Sequence, residues 1–119
     1  MRRHLQLTTL AAGVLLAWTA TTARSADSVT GEVVDLACYM VHPETGSGPG
    51  HKTCASMCLK KGLPAGLLTA DKQLYLLLED HDNPKAYAAI KDKAAEKITV
   101  EGQKVTQNGM QAIVVEVVK

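Results

Sequence analysis

Gln73-Leu74-Tyr75-Leu76-Leu77-Leu78-Glu79-Asp80-His81-Asp82-Asn83-Pro84-Lys85-Ala86-Tyr87-Ala88-Ala89-Ile90 reads as a strand followed by the start of a helix. The apolar run over 73–78 has strand length. Asp82-Asn83-Pro84 then gives an N-cap residue followed by proline in the first turn, where its missing N–H costs nothing. The helix is predicted from Pro84 to about Lys93–Ala95, with Ala86, Tyr87, Ile90 and Ala94 on its apolar side.

The segments on either side complete the order. Leu67-Leu68-Thr69 pairs with 73–78 as a hairpin around Ala70-Asp71-Lys72. Lys97 to Val105 reads as a strand interrupted at Gly102, Asn108-Gly109 as a hairpin turn, and Met110 to Val118 as a last strand. In that strand the run Ile113-Val114-Val115 suggests burial on both faces. Upstream, Val29 to Leu36 reads as a first strand, with Gly31 and the alternating valines suggesting a bulge. Five strands with a helix between the third and fourth is the order of a small OB-like Greek-key barrel, a mainly β fold. Strand 1 is then expected to pair with strand 4. The long insertion after strand 1 falls where OB folds commonly carry their binding surface.

That insertion holds the chemistry. His42 to Gly50 is saturated with turn formers. The run His51-Lys52-Thr53-Cys54-Ala55-Ser56-Met57-Cys58 has no glycine or proline and reads as a helix ending at Gly62. On a helix, His51, Cys54 and Cys58 project within about 60° of one another. Together with Cys38 they form a Cys₃His set, which matches a closed tetrahedral zinc site. The same thiolates suit Cu(I), particularly with Met40 or Met57 nearby. His42 is a reserve ligand. His81 belongs to a polar turn before the helix.

Gly31-Glu32-Val33-Val34-Asp35-Leu36-Ala37-Cys38-Tyr39-Met40, His51-x-x-Cys54-Ala55-x-x-Cys58 and Gly62-Leu63-Pro64-Ala65-Gly66-Leu67-Leu68-Thr69 resemble the signature of a family of small exported bacterial proteins. The resemblance covers most of the chain beyond the leader. It implies an exported, cysteine-containing, small β domain, and carries no established activity with it.

Residues 1–26 read as a secretory signal peptide. Arg2 and Arg3 precede a short apolar run from Leu10 to Trp18, and small residues follow up to Ala26. The apolar run is too short to span a bilayer, so the mature chain is expected to carry no transmembrane anchor. Residues 27–119 form the single domain. The expected location is periplasmic or secreted, by general or twin-arginine export. Cleavage removes all three arginines and the only tryptophan, leaving ten lysines against twelve acidic residues, a net charge of −2. With no basic footprint and only three tyrosines for stacking, nucleic-acid binding is excluded.

An oxidising compartment makes a disulfide the alternative to a metal. Cys38 bridged to Cys54 or Cys58 would close a loop of 16 or 20 residues, a staple contributing roughly 3 kcal/mol. One thiol would be left over. No hydrolase or transferase constellation is present, and no catalytic residue is assigned. A thiol-redox role is weakly supported, because Cys54 and Cys58 lack the Cys-x-x-Cys spacing. The sequence thus predicts a small exported protein holding copper or zinc through Cys38, His51, Cys54 and Cys58, and not an enzyme. A periplasmic or membrane protein stays open as its partner. The rival is a disulfide-stabilised OB-like binding module without metal.

Overall fold

The structure is a computed structural model that describes residues 25–119. The signal peptide expected over 1–26 therefore lies almost wholly outside the described residues. Five strands, β1 (Asp27–Asp35), β2 (Ala65–Leu68), β3 (Leu74–Glu79), β4 (Lys97–Gln107) and β5 (Met110–Val118), close into a barrel in the order β1-β2-β3-β5-β4. All neighbours are antiparallel except β3 and β5, which run parallel. Strand β1 pairs with β4 from Asp27↔Gly102 to Glu32↔Lys97, as the order of elements predicts. This is the OB-like barrel.

Alternation along the strands fills the interior. Val29, Val33, Leu67, Leu77, Ile98, Val100, Ile113 and Val115 are all buried in one cluster. The parallel β3–β5 pairing requires a crossover, and α3 (Pro84–Ile90) lies within it and packs Ile90 into the barrel core. The helix is shorter than the reading to Lys93–Ala95. After Ile90 the chain tightens into turns, with Asp92 N–H donating to Ala89 and Lys93 N–H to Ile90, and Ala95 adopts a positive φ of 58°.

The bulge expected at Gly31 is elsewhere. Register passes Gly31 without a shift, and a Cβ there would meet the Leu68 carbonyl oxygen at 2.6 Å, so Gly31 serves close strand approach. The irregularity lies between β4 and β5, where Glu101 faces Val117 and Gly102 faces Val115, leaving Glu116 as the extra residue. A Cβ on Gly102 would stand 1.7 Å from the Val114 carbonyl oxygen, so only glycine fits. The Glu116 carbonyl accepts from Asn83 Nδ2 at 3.0 Å. Asn83 thus ties the start of α3 to the bulge and makes no side-chain cap of its own. Asn108 and Gly109, at φ 50° and 82°, form the tight hairpin turn that their sequence predicts.

Two helices fill the insertion between β1 and β2: α1 (Leu36–Val41), and α2 (Lys52–Lys60) preceded by a 3₁₀ turn over Pro49–His51. Among the described residues no helix is long and apolar enough to cross a membrane.

Candidate metal centre

Helix α2 is oriented by its core face. Ala55 and Leu59, one turn apart, are buried against the barrel. Cys54 and Cys58 each precede one of them, so the two sulfurs lie about 100° around the helix on the flank of the buried stripe. The helix stops where Gly62 predicts. Gly62 takes φ 94°, its N–H donates to Leu59, and the Leu63 N–H donates to Cys58. This is a Schellman motif, which satisfies the last carbonyls. Lys52 Nζ, 3.4 Å from Glu96 Oε1, ties the first turn to the chain leading into β4. That contact, with the charge of Lys93, holds the Glu96 carboxyl below its ordinary range.

Cys38 follows the strand read over Val29 to Leu36, and it sits inside a short helix that the sequence reading did not assign, α1. Asp35 caps this helix, its Oδ1 accepting from the Cys38 N–H at 3.1 Å. The cap returns the chain at once over the barrel end and brings Cys38 back toward α2. An Asp ahead of a short apolar run that ends before Pro43 is a helix signal the sequence does contain. The glycine-rich loop that follows is pinned by the Glu32 carboxylate of β1, which accepts from the Gly48 N–H.

The Sγ atoms of Cys38, Cys54 and Cys58 lie within 4.8 Å of one another, and all three are free thiols. Four-coordinate zinc with Zn–S of about 2.3 Å needs sulfurs about 3.8 Å apart. Ligation therefore asks for a contraction of about 1 Å at most. Cys54 is exposed, while Cys38 and Cys58 are partly covered.

His51 belongs to a second, overlapping group. Its ring nitrogen, a carboxylate oxygen of Asp35 and Cys38 Sγ lie within 4.8 Å of one another. The shared face predicted for His51 requires it to sit on the α-helix. It stands instead at the end of the 3₁₀ turn, where residues advance about 120° apiece, and its ring is turned toward Asp35. His51 Nε2 is 3.4 Å from Asp35 Oδ2. The structure thus brings three of the four predicted ligands into one cluster and sets the fourth beside it, with Cys38 common to both groups. Asp35 is the residue that sequence reasoning missed. His42, the reserve ligand, caps the end of α1.

Asp35 governs the electrostatics. Hydrogen bonding of the Cys38 thiol to its carboxylate, then burial, then the Asp35 charge push Cys38 up to about 12. Burial first, and the Asp35 charge second, raise Cys58. Without an ion these two thiols hold their protons, and a bound cation is what would displace them. Softness, number and proximity make the cluster able to hold a metal ion. Comparison with family models, curated proteins and solved structures finds no match to the chain.

Proposed function

We propose that the protein is an exported carrier of copper or zinc, held by Cys38, Cys54 and Cys58 with His51 as the fourth ligand. The observation that supports this best is the convergence of three free sulfurs from two separate helices within 4.8 Å at one end of the barrel. Thiolates select soft and borderline ions, and three of them with an imidazole complete a tetrahedron. The leader-like residues 1–26 support a periplasmic location. The exposed Cys54 supports a cargo role, because an incoming ligand from a partner protein can displace an exposed thiolate first and take over the ion stepwise.

Zn(II) and Cu(I) titrations of the reduced protein, beside a thiol count on freshly isolated material, test the reading. One ion per chain with three metal-protected thiols is the expected result. Failure to take up either ion, with one bridge and one free thiol in the isolated protein, favours the disulfide-stabilised binding module instead. That module would have a surface to offer. A groove of about 640 Å³ on the barrel wall beside α1 is lined by Leu36, Met40, Pro64, Leu74, Leu76 and Met110.

A further inference from the structure

Asp35 is the one charged residue fully buried among the described residues, at 0 % exposure. Burying a carboxylate is costly unless donors meet its oxygens. Both oxygens of Asp35 face the framework of the site. Oδ1 accepts the Cys38 N–H at 3.1 Å, and Oδ2 faces His51 Nε2 at 3.4 Å. The residue ends β1, and its pairing with Ala65 fixes its backbone to the barrel. One carboxylate therefore holds two ligands that arrive from different segments.

We propose that Asp35 is a positioning residue of this centre, a buried carboxylate that keeps the His51 proton on Nε2 and so presents Nδ1 to a divalent ion. The inference rests on the metal reading above and deepens it. A neutral imidazole carries a single N–H, and an ionised carboxylate only accepts, so the nitrogen facing Asp35 is the protonated one. The lone pair is then on Nδ1. Metal-bound histidines commonly donate their other N–H to a carboxylate, which fixes both tautomer and ring orientation. Charge points the same way. Three thiolates and Asp35 bring four negative charges, of which a divalent ion offsets two and Cu(I) one. Cu(I) can also manage with thiolates alone. Asp35 and His51 therefore matter more for zinc.

Asp35→Asn switches the ring tautomer; it also frees Cys38 and Cys58 from the Asp35 charge, an effect on the thiols that the double variant with His51→Ala reads alone. Asparagine caps a helix as well as aspartate does, so its amide oxygen keeps the Cys38 N–H and its NH₂ turns toward Nε2. Nε2 must then accept, the ring proton moves to Nδ1, and the ligand lone pair is lost. Zn(II) and Cu(I) titrations of reduced wild type, D35N, H51A and the double variant read this out. D35N is expected to bind zinc about 10–100-fold more weakly, with a smaller loss for Cu(I), and the double variant to bind no more weakly than H51A. The proposal is overturned if D35N binds zinc as wild type does. It is also overturned if both metals lose equally, or if the D35N loss adds in full to that of H51A. Nitrogen NMR of His51 in metal-free wild type needs no variant. It should show the proton on Nε2, and a proton on Nδ1 overturns the proposal. Wild type that binds neither ion brings down the metal reading itself, an outcome distinct from a silent D35N in a protein that binds zinc.

Discussion

Cys38 and Cys54 stand 16 residues apart in the chain and on different helices, yet their sulfurs lie within 4.8 Å of each other. What closes the gap is the Asp35 cap on one side and the Ala55–Leu59 face of α2 on the other. Each sulfur is thus held by a different part of the barrel. Replacing any one of Cys38, Cys54 or Cys58 by serine leaves a hydroxyl that is a poor ligand for a soft ion. Each variant should lose more zinc affinity than the roughly 10–100-fold expected for an outer-shell partner. Competition titrations against a chromophoric chelator measure it. A serine variant at any of the three positions that binds as wild type removes that cysteine from the ligand set.

The pH dependence has two opposite signs. On the proposed metal reading, uptake would displace protons from thiols held up by Asp35 and by burial, so affinity should rise with pH, by roughly one logarithmic unit per pH unit for each proton released. The metal-free protein behaves the other way. Cys38 is raised in the folded state from 9.0 to about 12, so its contribution to stability is complete below 9 and is lost as the pH rises toward 12. Thermal melts of the metal-free protein across that window should show a falling midpoint. The Cys38→Ser variant should fall less steeply.

Much of the barrel was legible because each strand carries its own signal. The apolar run of β3, the Asn108-Gly109 turn and the Pro84 helix start each need only a few neighbouring residues to be read. The bulge was misplaced because Gly31 and Gly102 look alike in sequence. They differ only in what the facing strand presents, the Leu68 carbonyl in one case and Val114 in the other. At the site, the spacing of Cys54 and Cys58 announced a shared flank, and Gly62 announced the end of the helix. Whether His51 stands on α2 or just ahead of it was not legible, because a 3₁₀ turn over Pro49–His51 carries no signal that separates it from the helix that follows. Asp35 was overlooked because its part depends on burial, which the sequence reports poorly for a single acidic residue between a strand and a short helix.

Asn83 offers a test of the bulge. By cap preference alone, Asn83→Asp should be neutral at the start of α3. The structure gives the side chain another task, since Nδ2 donates to the Glu116 carbonyl across the β4–β5 irregularity. Aspartate has no donor to offer and sets a negative oxygen against that carbonyl. A loss of about 0.5–1.5 kcal/mol is expected for the missing hydrogen bond, read as a lower urea midpoint with an unchanged slope. Unchanged stability would return Asn83 to the role of an ordinary cap.

Leu59 joins the core to the cysteine cluster. It is fully buried, belongs to the barrel cluster, and directly follows Cys58 on α2. Leu59→Ala removes packing that α2 uses to stay on the barrel and should cost about 2–5 kcal/mol. The loss should not be confined to stability. With the helix less firmly seated, Cys54 and Cys58 meet Cys38 less often, and zinc affinity falls although every ligand is intact. If the cluster holds zinc as proposed, a free concentration 100 times its dissociation constant should return up to about 2.7 kcal/mol, less whatever the unfolded thiols bind. Urea denaturation of Leu59→Ala with and without zinc therefore measures both directions of the coupling. A variant that loses stability but keeps wild-type zinc affinity would show that α2 holds its cysteines in place without its core contact.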